Sequence, residues 1–279
     1  MTVFLAIFAP ILIETSKKTD KNMDSQRPLI LISNDDGYLA KGINELVAFL
    51  HPMADIIVVA PDGPRSGMAC AITSQLPVTL TLVSQAEGVT IYKCSGTPTD
   101  CVKLALDTVV PRKPHLVIGG INHGDNAAVN VHYSGTMGVV LDGCMKGIPS
   151  IGFSVCDHDP NLDFNPTRPY VQQIVAKVLE KGLPEGSCLN VNFPQYAPYK
   201  GIKTGRQTRG RWGNEWASLP HPRGGGNLYW LTGNFANHEP EAVDTDRYAI
   251  DNGYISITPI QIDMTDYTLL EAMKDWDFM

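Results

Sequence analysis

Pro28-Leu29-Ile30-Leu31-Ile32-Ser33-Asn34-Asp35-Asp36-Gly37 is an apolar run that stops abruptly on two adjacent carboxylates and a glycine. A short unbroken apolar run predicts a strand buried on both faces of a parallel sheet, here Pro28–Ser33, with the polar turn at its carboxyl end. Beyond the turn, Gly42–His51 carries Ile43, Leu46, Val47 and Leu50 at helical spacing, and Asp55–Ala60 reads as the next strand. The rhythm repeats. Thr99–Val109 is expected as a helix with Thr97 or Thr99 as its cap, and His115–Gly119 as a strand. Ser134–Lys146 reads as a small-residue helix, Ser150–Val155 as a strand, Tyr170–Lys181 as a helix and Cys188–Phe193 as a strand. Pro77–Val83 and Val89–Cys94, joined by a short polar link, add a hairpin. The expected class is α/β and Rossmann-like: a mostly parallel sheet flanked by helices.

The 279 residues, 43% of them hydrophobic, suffice for one large core. That core is expected over 28–195. Past Gln195 proline, glycine and tryptophan become frequent, and Gly224-Gly225-Gly226 cannot hold regular structure. Residues 196–279 therefore read as a C-terminal β-rich arm, a late strand at Tyr254–Ile260 and a terminal helix at Tyr267–Trp276, serving oligomerisation. Lys200, Lys203, Arg206, Arg209, Arg211 and Arg223 give the arm local positive charge. A solvated hairpin accounts for this, and so does attraction of phosphate-bearing ligands or an acidic neighbouring subunit.

The net charge of -7 speaks against a nucleic-acid polymer as partner. Six cysteines without a C-x-x-C pair fit reduced, buried thiols of a cytoplasmic protein better than a disulfide frame or zinc site. Val3–Ile13 has the length of a signal-peptide core but lacks a basic flank and an A-x-A-like cleavage site, and it is too short to span a bilayer. Residues 1–27 are read as an extension outside the fold, and no membrane partner is expected.

In open α/β sheets ligands bind beyond the carboxyl ends of the strands. Three polar loops fall there: Asn34–Gly37, Asp62–Gly67 and Gly120–Asn126. Asp35 and Asp36 supply hard anionic oxygens, and Ser66 and Asn122 neutral ones, a set suited to Mg²⁺ or Mn²⁺. The competing reading has one aspartate capping the next helix and the other exposed. Ser134-Gly135-Thr136 opens a helix, where hydroxyls and free N–H groups can hold a phosphate or simply cap. His123, His132 and His158 are candidates for proton transfer. No G-x-S-x-G, P-loop or H-E-x-x-H pattern is present.

Asn34-Asp35-Asp36-Gly37, Arg65-Ser66-Gly67, Ser95-Gly96-Thr97-Pro98-Thr99-Asp100-Cys101-Val102, Gly120-Ile121-Asn122-His123-Gly124-Asp125-Asn126 and Tyr133-Ser134-Gly135-Thr136 occur in this order. Together they resemble the successive signatures of the SurE family of stationary-phase survival proteins and 5'-nucleotidases. The likeness runs from about Pro28 through Asp246, with Gly253–Pro259 similar to the family's late strand. It implies a phosphomonoesterase that hydrolyses nucleoside 5'-monophosphates with metal-activated water, some relatives also acting on 3'-nucleotides or polyphosphate. It implies one divalent metal ion per subunit (Mg²⁺ or Mn²⁺) on Asp35, Asp36, Ser66 and Asn122, with Asp35 and Asp36 catalytic. Asn126 and Ser134 would line the phosphate pocket, with Asn34, Gly67, Gly135 and Thr136 beside them as substrate contacts. A homodimer or homotetramer with C-terminal exchange is also implied. Two rivals stand beside it. One is a phospho-aspartate mechanism like that of haloacid-dehalogenase-type phosphatases, whose carboxylates alternate rather than adjoin. The other is a metal- and nucleotide-binding stress-sensing module without turnover.

Overall fold

The computed structural model describes residues 27–278. Apart from Arg27, the expected extension lies outside the described residues. Arg27 itself reaches the fold, donating to the Ala54 carbonyl at 3.1 Å and lying 3.6 Å from the Asp55 carboxylate.

In chain order the core runs β1 (Leu29–Ser33), α1 (Lys41–Leu50), β2 (Asp55–Pro61), β3 (Leu80–Ala86), β4 (Val89–Cys94), α2 (Pro98–Thr108), β5 (Leu116–His123), α3 (Gly135–Met145), β6 (Ser150–Val155), α4 (Arg168–Lys181) and β7 (Ser187–Phe193). After it come β8 (Ile202–Thr204), β9 (Gly210–Gly213), β10 (Trp216–Pro220), β11 (Asn227–Leu231), β12 (Asn234–Asn237), α5 (Asp246–Asp251), β13 (Ile255–Gln261) and α6 (Tyr267–Ala272).

Nine strands form one sheet in the order β3-β4-β2-β1-β5-β6-β7-β13-β8. From β4 to β7 every neighbouring pair is parallel, while β3 and β13 join antiparallel. The chain winds outward from β1 through β2 to β4, then restarts on the other side of β1 with β5. Such a reversal opens a crevice at the carboxyl ends of β1 and β5. The paired carboxylates stand at that crevice.

Strand periodicity sorts the core. Ile30, Ile32, Ile56 and Val58 pack with Ile43, Leu46 and Phe49 of α1 and Val171 and Val175 of α4, while Leu29, Leu31, Ile57 and Val59 face Cys101, Val102 and Val139 of α2 and α3. Each such side chain removed from water contributes roughly 1.5–3 kcal/mol, so the faces rather than helix propensity hold the layers. Thr97 is the α2 cap. Its hydroxyl accepts from Asp100 N at 3.1 Å while Asp100 Oδ2 accepts from Thr97 N at 2.9 Å, with Pro98 in the first turn. Asp100 also takes the Thr73 hydroxyl at 2.6 Å, so this signature ties down the long loop after β2.

Several boundaries differ from the expectation, three of them for reasons the structure supplies. The hairpin's first strand starts at Leu80 instead of Pro77: Pro77 has no N–H to give, and the ladder begins where Thr79 meets Ser95 through bonds of 2.9 and 3.0 Å. β5 runs on to His123, with an irregularity between Gly119 and Asn122, so Asn122 belongs to a strand end and not to a free loop. The terminal helix breaks into α6 and a 3-10 turn, Met273–Asp275, and neither has a buried residue to hold it straight. The arm consists of two ribbons, β9–β12 and β10–β11. Part of its positive charge is spent internally, Arg206 pairing with Glu239 and Asp244. The six cysteines are free thiols, with Cys70 exposed and Cys156 half-buried. Among the described residues no helix is long and apolar enough to cross a membrane.

Candidate metal and phosphate site

Backbone hydrogen bonds sew the predicted loops together. Arg65 N donates to the Asp35 carbonyl at 2.6 Å, and Ala69 N donates to the Tyr133 carbonyl at 3.1 Å. The Ser66 loop is thereby fastened to the β1 turn at one end and to the entry of α3 at the other. Asn34 is fully buried, and its amide closes the turn by bonding Gly37 N and O at 3.2 and 3.1 Å.

The resulting cleft is lined by Asp35, Ser66, Gly67, Asn122, Asn126 and Ser134, and also by His123, Asp125, Asn130, Tyr133 and His158. Of the residues named from the sequence, Asp36, Asn34, Gly135 and Thr136 do not line this cleft: Asp36 follows Asp35 on the β1 turn, half-buried, and the other three stand behind the surface. Thr136 is fully buried, and its hydroxyl donates to Asp35 Oδ1 at 2.6 Å. At Gly135 a Cβ would lie 2.7 Å from the Asp35 Cβ, so only glycine admits the carboxylate there. These two residues position Asp35. Ser134 caps α3, accepting from Met137 N at 3.0 Å, while also facing the cleft. Asn122 donates through Nδ2 to the Gly124 carbonyl at 2.8 Å, which directs its Oδ1 to other partners.

Burial pushes the Asp35 carboxyl up to about 6; the Thr136 bond opposes this and the neighbouring Asp36 charge adds to it. Asp36 is also raised by burial, against a lowering contribution from the His123 backbone and His158. Neither carboxylate has a lysine or arginine partner among the described residues, and Asp36 Oδ2 is buried with no hydrogen-bond partner among them. Two desolvated carboxylates with an orphaned oxygen are what a hard divalent cation satisfies. No cluster of three or more His, Cys, Asp or Glu side chains suited to a metal occurs among the described residues, so such a cation would lean on the neutral oxygens of Ser66 and Asn122.

A pH dependence follows. Asp35 binds its proton up to about pH 6 in the fold and only up to about 4 when unfolded. The metal-free chain therefore loses stability as pH rises between these values. Cation binding needs the carboxylate and so runs the opposite way. Calorimetric titration with Mn²⁺ is expected to give affinity about tenfold weaker at pH 5 than at pH 7.5, where the carboxyl is ionised.

The histidines separate. His158 is exposed on the rim and His123 is half-buried, edge-on to Phe164 at 5.1 Å; burial holds its imidazole below the ordinary value, with the His158 charge adding. His132 sits away from this cleft, near Gln207 at 3.5 Å. The sequence reading missed a polar ladder beneath the cleft. Asn126 N donates to Asn192 Oδ1 and Asn126 Nδ2 to Ser154 Oγ, both at 2.8 Å, while Asn190 Nδ2 donates to the Asn126 carbonyl at 2.8 Å. The signal was available: Asn190 and Asn192 alternate within an otherwise apolar strand, the same-face spacing of a strand.

Fold and cleft define a doubly wound α/β protein with an oxygen-rich cleft at its switch point. A family model described as survival protein SurE matches residues 30–214. The proteins named 5'-nucleotidase SurE from Bacteroides fragilis and Phocaeicola vulgatus are 56% and 58% identical over 255 residues, covering 91% of this chain and 100% and 99% of those relatives. The crystal structure of the SurE protein from Aquifex aeolicus superposes with a TM-score of 0.75 at 35% identity, covering 88% of this chain and 98% of that one. The chain belongs to the SurE family.

Proposed function

We propose that this chain is a 5'-nucleotidase, a phosphomonoesterase that converts nucleoside 5'-monophosphates to nucleoside and phosphate. The observation that carries the reading is the Asp35–Asp36 pair, desolvated at the switch point with an oxygen left unpartnered; the names of the close relatives support it. Asp35, Asp36, Ser66 and Asn122 would hold one divalent cation, Mg²⁺ or Mn²⁺, which when bound polarises the phosphoryl group and makes a water acidic near neutral pH. Asp35 is fixed by Thr136 and serves the cation. Asp36, less buried, orients the attacking water and takes its proton. The water oxygen would bond phosphorus as the ester P–O bond breaks in line; the leaving nucleoside oxygen takes a proton from solvent and Asp36 returns its own to solvent, so that one water is consumed per ester cleaved. Ser134 and the neighbouring α3 N-terminus face the equatorial oxygens with a hydroxyl and a positive dipole end.

The core of 28–195 would carry the chemistry and residues 196–279 the association of copies. The exposed apolar ribbon with Trp216, Leu228 and Trp230 supports a homodimer or homotetramer that exchanges C-terminal segments. A cytoplasmic location fits the free thiols.

The test is phosphate release from AMP, read with malachite green, before and after EDTA. Release is expected with Mn²⁺ or Mg²⁺, to stop on chelation and to return on adding the metal back. Turnover that survives complete chelation would contradict the metal reading, and binding of AMP without release would favour a sensing module.

A further inference from the structure

The polar ladder beneath the cleft closes on itself. Asn126 N donates to Asn192 Oδ1 at 2.8 Å, Asn192 Nδ2 to Asn190 Oδ1 at 3.0 Å, and Asn190 Nδ2 to the Asn126 carbonyl at 2.8 Å. Three hydrogen bonds therefore run in one direction around a ring made of two side-chain amides of β7 and the backbone of one cleft residue. Turning either amide over would set N–H against N–H and oxygen against oxygen, so the ring admits one arrangement. A fourth bond leaves the ring: Asn126 Nδ2 donates to Ser154 Oγ at 2.8 Å, and Ser154 is the cross-strand partner of Asn192 on β6. Ser154, Asn190 and Asn192 are all buried.

The surroundings do not call for polarity. The same face of β7 carries Cys188, packed with Met137, Val140 and Cys144 of α3. Apolar side chains at positions 190 and 192 would extend that packing with no polar group to desolvate. Instead the bonds of the two amides end on Asn126, a residue beyond β5 that lines the cleft. Its backbone is held at both N–H and carbonyl, as a neighbouring strand would hold it, and its amide is turned by Ser154. One amide N–H goes to Ser154, which leaves the second N–H and the oxygen for other partners. A group locked before its ligand arrives needs no reorganisation when the ligand binds. We infer that Ser154, Asn190 and Asn192 are positioning residues of the cleft, which present the Asn126 amide to the phosphate in one fixed orientation. The inference rests on the proposed phosphate site and extends its support inward to the carboxyl ends of β6 and β7.

The experiment is a double-mutant cycle on Ser154→Ala and Asn126→Ala in the intact chain, read as the affinity of the Mn²⁺-loaded protein for inorganic phosphate and as kcat/KM for AMP. Ser154→Ala is expected to weaken phosphate roughly 5- to 10-fold, the worth of one neutral hydrogen bond, and Asn126→Ala roughly 10- to 100-fold. The double variant is expected to match Asn126→Ala alone, because Ser154 then has no amide left to orient. Asn192→Leu, which opens the ring while filling its space, is expected to weaken phosphate about 10-fold or more. Ser154 faces Asn122 across β5 and β6, so Mn²⁺ affinity is measured in each variant, and it is expected to stay within about twofold of the wild-type value. Losses that add in the double variant, wild-type phosphate affinity in Ser154→Ala or Asn192→Leu, a loss that merely follows Mn²⁺ affinity, or a wild-type chain that binds no phosphate would each overturn the inference. Wild-type chain that binds phosphate and shows the coupling but releases none from AMP would remove the phosphatase reading and keep the ladder. Wild-type chain that hydrolyses AMP while the losses add would do the reverse.

Discussion

Asp35→Asn is expected to reduce phosphate release from AMP on the order of 10²–10³-fold at saturating Mn²⁺, the equivalent of several kcal/mol of lost charge stabilisation. The same substitution is expected to make the metal-free chain more stable. Asp35 is 4% exposed and its carboxyl is pushed from 3.8 to about 6 by burial, so holding it ionised in the fold at neutral pH costs up to about 3 kcal/mol. Asparagine removes that cost, keeps an oxygen for the Thr136 hydroxyl and fits the space beside Gly135. Urea unfolding in EDTA should then show a gain of about 1–3 kcal/mol, since burying the neutral amide still costs something. The pair of results separates a ligand from a fold-stabilising residue: a variant that is both inactive and less stable would point to lost structure, and one that keeps full turnover would remove Asp35 from the site.

Gly42→Ala is expected to destabilise the chain by about 2 kcal/mol or more and to weaken Mn²⁺ binding about 10- to 100-fold, although Gly42 touches no ligand atom. Helix propensity argues the other way, since alanine within a helix gains about 1 kcal/mol over glycine. Packing decides. A Cβ at position 42 would lie 2.0 Å from the Ile121 carbonyl oxygen and 3.0 Å from its carbon. Backbone cannot rotate aside as a long side chain can, so either α1 lifts from β5 or the strand end shifts. Asn122 is the next residue along, and its Oδ1 moves with it. Chemical denaturation and a Mn²⁺ titration check both halves. A variant more stable by about 1 kcal/mol with unaltered Mn²⁺ affinity would show that the contact yields freely.

Much of this site was legible in the sequence because its parts are local. Five consecutive buried residues in β1 followed by Asp35-Asp36 announce a strand end with an electrostatic problem, and Thr97-Pro98-Thr99-Asp100 spells out a helix start. The alternation of strands and helices then limits where the carboxyl ends gather. What was not legible depends on residues distant in sequence. That Thr136 holds Asp35 from 101 positions away, or that Asp246 clamps Ala128 from 118 positions away, has no local signature. The same holds for Trp212 and Phe235. Their glycine- and tryptophan-rich surroundings read as an arm, and only the paired register and the bond to Asn130 turn that arm into a wall of a cavity beside the cleft. Strand edges were misjudged where proline or an irregular ladder decides the boundary, at Pro77 and between Gly119 and Asn122.

The central claim is that one divalent cation sits among Asp35, Asp36, Ser66 and Asn122, and diffraction from crystals of the intact chain soaked in Mn²⁺ tests it most directly. One strong manganese anomalous peak per chain is expected in the cleft, about 2.1–2.2 Å from carboxylate oxygens of both aspartates, as hard cation–oxygen bonds require. A principal peak elsewhere, or one in the cleft that leaves Asp35 and Asp36 out of its coordination, would contradict it.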